Sequence, residues 1–182
     1  QGYDLTNCEQ VVAAAGAGKA SLYARYANKQ ELFTAVVHRN VSSLQTHQMA
    51  PVAIELGVKE RLRLAGKLIL EHALRQEVVA LMRLVISTAY RLPELAKLTN
   101  SIGRERGVQV VAEAIAGRQS ASAEAIARAM PVAIKFIDLA FVPLQMRALL
   151  GEDLATLVQA APTTIEDAVG LLASGGWLEG WP

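Results

Sequence analysis

The chain has 182 residues, 52% of them apolar and 19% charged, enough to bury a sizeable core in one large or two small domains. A formal net charge of +1 is too small to mark a polyanion-binding protein by itself. Cys8 is the single cysteine, which excludes an internal disulfide and suits a reducing cytoplasm; no apolar run reaches the roughly 18 residues of a membrane span, and no signal peptide opens the sequence.

Charge is spread unevenly. Lys19, Arg25, Lys29 and Arg39 slightly outnumber the acids of the first 47 residues, whereas no Lys or Arg follows Arg147 and Glu152, Asp153, Glu166, Asp167 and Glu179 do. The C-terminal end is therefore expected to point away from any nucleic acid.

Thr6 and Glu9 read as a capping box opening a helix that Val11, Val12 and Ala15 continue. Gly16 stands where a left-handed C-terminal residue is wanted, and Ala17-Gly18 form a turn. A second short helix follows from Lys19 to Tyr26. Leu22 and Tyr26, spaced i and i+4, can bury, leaving Lys19, Ser21, Tyr23 and Arg25 outward as a donor-rich face. Asn28 and Glu31 form another capping box for a longer helix. Two short helices around a glycine turn fit a helix-turn-helix whose second member enters a major groove, and equally a helical hairpin in an all-α core.

Asn28 opens a helix to about Gln48, with Ala35, Val36, Val37, Val41 and Leu44 giving an apolar side that also carries His38 and His47. Pro51 to Gly57 is the expected domain break. From Val58 to about Arg75 a stripe of Val58, Leu62, Ala65, Ile69 and His72 runs at helical period. His72 is either a satisfied core histidine or a polar group in a ligand pocket.

Residues 77–91 are the most uniformly apolar stretch and are expected at the centre of the second domain, with Met82 and Tyr90 either plain core or lining a cavity. Pro93 opens the next helix, which runs to about Ala116, bends near Gly103 and Gly107, and stops at Gly117; Ser120 or Ser122 caps its successor. Residues 123–150 are apolar on more than one face, as expected of a helix packing against a second chain, and Pro131 and Pro143 should kink or split them. Lys135 and Asp138 can pair at i, i+3. Thr163 and Glu166 read as a capping box for a last helix, which Gly175-Gly176 stops before the tail WLEGWP. Phe136, Phe141 and Leu144 belong to the stretch apolar on more than one face, and Ile165, Val169 and Leu172 lie on one side of the last helix.

Enzyme chemistry has no footing here. AGAGKAS places Ala13 and Ala20 where a Walker loop needs Gly and Ser/Thr, and Ser21 where a dinucleotide fingerprint needs Gly. No HExxH, no metal-spaced Cys/His set and no G-x-S-x-G elbow is present, so no catalytic residue, metal or cofactor is expected.

Gly2-Tyr3-x-x-Thr6, Ala14-Ala15-Gly16, Lys19-Ala20-Ser21-Leu22-Tyr23-x-Arg25-Tyr26 and Asn28-Lys29-Gln30-Glu31-Leu32-Phe33 together resemble the DNA-binding domain of the TetR/AcrR transcriptional regulators. Family members carry a further helix before the Gly-Tyr pair. Its absence here reflects either a truncated sequence or a departure from the pattern, and leaves the head expected to be marginal alone. RLVISTAYRLPELA (83–96) and FVPLQMRALLG (141–151) resemble the regulatory domain of the AefR-like branch.

The resemblance implies an all-α protein with a helix-turn-helix DNA-binding domain and linking helix over residues 1–49, and a ligand-binding and dimerisation bundle over 50–182. Its partners would be a double-stranded DNA operator, a small apolar or amphipathic effector, and a second copy of the chain, without a membrane. Lys19, Ala20 and Ser21 would approach base edges; Thr6, Tyr23, Arg25, Tyr26 and Lys29 would hold phosphates. His72, Met82 and Tyr90 are the candidate effector contacts, and the resemblance also implies a dimer built from the last two helices, with Phe136, Phe141, Leu144, Ile165, Val169 and Leu172 as the expected contacts. The expected function is repression relieved by an effector; the alternative is a helical small-molecule-binding dimer without DNA binding.

Overall fold

A computed structural model describes residues 2–46, 56–117 and 122–182. His47, the break at Pro51, Ser120, and the side chains of Val41 and Leu44 lie outside that description. All regular structure among the described residues is helical: α1 (Gly2–Leu5), α2 (Cys8–Ala14), α3 (Lys19–Tyr23), α4 (Lys29–Thr46), α5 (Val58–Ala73), α6 (Gln76–Thr88), α7 (Pro93–Asn100), α8 (Arg106–Ala116), α9 (Ala123–Phe136), α10 (Val142–Leu149) and α11 (Leu154–Ser174). Two π-helical turns, Ser101–Glu105 and Ile137–Phe141, interrupt the runs α7–α8 and α9–α10.

The main core gathers Leu62 and Ala65 of α5, Val111 and Ile115 of α8, Phe136 of α9, Leu144 of α10, and Leu157, Ile165 and Val169 of α11. Apart from Ala65, each of these buried side chains stabilises the fold by about 1.5–3 kcal/mol over its exposed state. The expected stripe of α5 is fully realised, with Val58, Leu62, Ala65, Ile69 and His72 all buried. Small residues set the spacing. Ala112, Ala116, Ala129 and Ala133 are buried between α8 and α9, and a Cβ at Gly66 of α5 would sit 2.9 Å from Phe136 Cζ and 3.1 Å from Ile165 Cγ1.

This core takes up most of the expected dimer contacts. Phe136 and Leu144 are each 1% exposed, and Ile165, Val169 and Leu172 are buried in the same protomer, with Phe141 packed against them. Periodicity marks a face as buried without naming its neighbour, and here the neighbours are α5 and α8 of the same chain.

A second cluster joins head to bundle: Phe33 and Val37 of α4, Leu81 and Val85 of α6, and Leu95 of α7. It explains the composition of α6. That helix is apolar nearly all round because it sits between two neighbours, giving Val79 to the main core and Leu81 and Val85 to the junction. It is thus a bridge and not the centre of the bundle, and Ile86 and Tyr90 remain exposed. Arg83 anchors it by donating to the terminal carbonyls of α10, from Nε to Leu149 at 3.0 Å and from Nη2 to Ala148 at 2.5 Å.

Several local expectations are corrected. Asn7, not Thr6, caps α2: its Oδ1 accepts from Gln10 N at 2.8 Å while Gln10 Oε1 accepts from Asn7 N, and Thr6 Oγ1 donates instead to Gly2 O. The last helix begins nine residues before Thr163, capped by Asp153, whose Oδ2 accepts from Thr156 N at 2.8 Å; Pro162 lies inside it. A lone Pro–Thr–Thr sequence looks like a start, but the packing of Leu157 and Ala161 carries the helix through. Lys135 stacks over Trp177, and Asp138 pairs with Arg104 rather than with Lys135. His38 is exposed. Pro143 does interrupt its helix: it cannot donate to the preceding turn, and Val142 N bonds back five residues to Ile137 O in a π turn. Pro131 leaves α9 continuous.

Candidate nucleic-acid interface and effector cavity

The head is built around the α2–α3 turn. α2 ends in a Schellman arrangement, with Gly16 N bonded to Ala13 O at 3.3 Å and Ala17 N to Val12 O at 3.1 Å. Gly16 adopts φ +61°, a left-handed conformation that a side chain would strain. The turn redirects the chain into α3, which is shorter than expected and gives way to a turn over Ala24 and Arg25.

Lys19, Ala20, Ser21, Tyr23 and Arg25 are exposed together on this helix and the turn after it, as a groove-reading face requires. Leu22 and Tyr26 are only half-buried. Lys19 Nζ forms an ion pair with Glu9 of α2, which raises the lysine pKa and lowers that of the carboxylate. Thr6 and Lys29 are engaged within the head. Lys29 Nζ donates to Thr6 O at 2.8 Å and lies 4.2 Å from the centre of the Tyr3 ring. Tyr3 in turn packs on Phe33, with ring centroids 5.2 Å apart. Burial, followed by the charge of neighbouring Asp4, pushes the Tyr3 hydroxyl pKa up.

In the bundle, a cavity of about 340 Å³ opens between α5, α6, α8 and the two π turns. His72 and Met82 line it, together with Leu81, Val110 and Phe141. Tyr90 does not: it is 98% exposed beyond the end of α6, because the helix stops at Thr88 and the chain turns before Pro93. The polar lining was missed in the sequence. Arg75, Arg104 and Arg106 contribute to it, the last two from the stretch S-I-G-R-E-R-G. Glycines flanking charged residues in an otherwise apolar region were the available signal, since π turns often mark functional sites.

α6 serves both sites. Val78, Leu81 and Met82 line the cavity; Ala80, Arg83, Leu84 and Ser87 line a groove of about 570 Å³ that α6 forms with Tyr3, Cys8 and Phe33 of the head. Arg91, just past α6, pairs with Asp4 of α1. Among the described residues no cluster of metal-ligating side chains occurs, and no helix is long and apolar enough to cross a membrane.

Comparison with known proteins agrees with this arrangement. Residues 1–36 match the model of the bacterial regulatory proteins of the tetR family, and residues 60–173 match the C-terminal domain of AefR-like transcriptional repressors. Among solved structures, the Flavonoid-responsive Regulator FrrA is similar with a TM-score of 0.67 at 27% identity, over 96% of this chain and 88% of that one. A crystal structure assigned to the TetR-family transcriptional regulators, from Mesorhizobium loti MAFF303099, has a TM-score of 0.66 at 22% identity, over 93% of this chain and 87% of that one. No curated protein matches the chain. A helix-turn-helix head joined through one shared helix to an AefR-like helical bundle places the chain in the TetR family of DNA-binding transcriptional regulators, which are not enzymes.

Proposed function

We propose that the protein is a dimeric repressor, released from a palindromic operator when a small molecule enters the bundle cavity. The division follows the chain: a DNA-binding head over residues 1–49 and an effector and dimerisation body over 50–182, acting in the bacterial cytoplasm. Lys19, Ala20 and Ser21 approach base edges, while Tyr23 and Arg25 hold phosphates. Tyr26 stays partly in the head's core, and Thr6 and Lys29 chiefly brace it. His72 and Met82 are effector contacts.

The observation that carries this reading is the double duty of α6. A ligand that moves Leu81 or Met82 acts on the helix whose next residues, Leu84 and Val85, support Phe33 and Val37 of α4. The effector works only through its different affinity for the two head positions. The likeness to a flavonoid-responsive regulator makes planar aromatic compounds the first effectors to try.

For the dimer, the outward stripe Leu139, Val142, Met146 and Leu150 replaces the buried residues expected from sequence. These side chains recur on one face of residues 137–150 and are at least 38% exposed. An apolar stripe of this kind marks an interface more readily than scattered single residues do.

The test is duplex binding across a salt series. Two heads should meet half-sites roughly 34–36 Å apart, or a multiple of that, with affinity falling steeply as salt rises. Unchanged affinity in Lys19→Ala and Tyr23→Ala would remove the recognition assignment and favour a ligand-binding dimer without DNA binding. Sedimentation of Met146→Glu as a monomer beside a dimeric parent would support the stripe; an unchanged dimer would reject it.

A further inference from the structure

We propose that the effector cavity is built for an amphipathic anion: an aromatic or aliphatic body carrying one carboxylate or phenolate, seated against Arg106. This rests on the cavity being the effector site.

The lining charges are unequal in their pairing. Arg75, Arg104 and Arg106 line the cavity against one carboxylate, Glu71, which already has a cation partner in Lys67 at 3.8 Å. Arg104 is matched by Asp138 at 2.5 Å. Arg106 is not matched in the same way. Its Nη1 makes only a 3.5 Å contact with Glu113 Oε1, an oxygen that also accepts from Gln109 Nε2 at 3.0 Å. Its Nε is withdrawn from solvent and meets no acceptor among the described residues. A buried guanidinium N–H without an acceptor is costly, and an oxyanion is the acceptor such a fork takes best.

The remaining wall limits the rest of the ligand. Leu68, Ile69, Leu81, Val110, Ile137 and Phe141 offer an apolar surface, so a small hydrophilic anion would leave it uncovered. A volume of about 340 Å³ suits a compact molecule of one or two rings. Arg104 and Asp138 also join the two π turns, Ser101–Glu105 and Ile137–Phe141, across this cavity. A bound anion therefore arrives beside an ion pair that holds opposite walls together.

The test uses two probes of nearly equal shape, 1-naphthoate and its neutral amide 1-naphthamide, titrated calorimetrically into the full chain. The acid should bind at least tenfold more tightly, and Arg106→Gln should reduce that preference to within twofold while leaving amide binding in place. Arg106→Lys, which keeps the charge, should restore part of the preference even if the glutamine variant folds poorly. Equal binding of acid and amide to the parent, with both weakened by the cavity-filling Met82→Trp, would overturn the anion assignment and leave the effector site standing. Binding of neither probe, or binding that Met82→Trp does not weaken, would overturn both.

Discussion

Lys29 donates from Nζ to the backbone carbonyl of Thr6 at 2.8 Å, so two residues expected to grip phosphate are joined to each other. The bond ties the start of α4 to the segment between α1 and α2, and the Tyr3 ring covers the same ammonium. Lys29→Met should therefore lower the thermal unfolding midpoint of the head. Arg25→Ala, which removes an exposed phosphate-holding cation, should leave stability nearly unchanged but reduce the salt slope of duplex binding by about one. Differential scanning calorimetry beside a salt titration separates the two; equal salt-slope losses would return Lys29 to the phosphate-binding set.

Lys19 is held by Glu9, and any acceptor on a base edge that it meets must compete with that carboxylate. Glu9→Gln removes the competitor and one negative charge from the approach to DNA. Duplex affinity should rise roughly twofold, in line with the modest worth of an exposed ion pair. Fluorescence anisotropy at low salt is the measurement, and a weaker complex would show that the pair instead positions Lys19 for binding.

Arg61 is the most heavily engaged polar side chain of the core. Only 6% exposed, it donates to Ala114 O at 2.5 Å, Ile115 O at 3.0 Å and Pro182 O at 2.7 Å, and also to Leu56 O. The first two are carbonyls of the last turn of α8, which have no partner within the helix. Burial pulls the guanidinium pKa down, but the group stays charged. Arg61→Met should cost about 3 kcal/mol, because acceptors are left buried without donors. Urea denaturation reads this directly.

Gly66→Ala would normally strengthen a helix by about 1 kcal/mol. Here the new methyl meets Phe136 and Ile165, both buried, at distances real Cβ atoms avoid. Overpacking of this kind costs about 1–3 kcal/mol, so the net effect should be a lower melting temperature. A raised one would show that α11 can shift away from α5.

Arg63 grips Glu166 with two nitrogens, including Nη2 to Oε2 at 3.0 Å, and joins α5 to α11 on the surface. The guanidinium holds the Glu166 carboxyl below the usual glutamate range. A depressed folded-state pKa means stabilisation that is present above the unfolded-state pKa and lost as pH falls through the folded one. Glu166→Gln should thus melt slightly below the parent at pH 7, and the gap should close on acidification past the ordinary glutamate range.

How much was legible differs by element. The turn at Gly16, the apolar stripe of α5 and the outward set Lys19, Ser21, Tyr23 and Arg25 follow from positions a few residues apart, so sequence spacing alone locates them. The start of α11 was misplaced because Thr163 and Glu166 imitate a local signal that distant packing overrides. Tyr90 was misplaced because only the turn after Thr88 sends it outward.

The sequence alone specifies an all-helical chain with two short helices around a glycine turn, since helical period and turn residues are local properties; the resemblance to the TetR/AcrR head, not the spacing, favours a helix-turn-helix over a helical hairpin. The tertiary structure decided which apolar faces met each other. It buried Phe136, Leu144 and Ile165 within one protomer, made α6 a bridge between cavity and head, and brought Arg104 to Asp138 across 34 residues. A pattern of apolar residues says only that a face leaves water; which surface covers it depends on contacts between residues far apart in the chain.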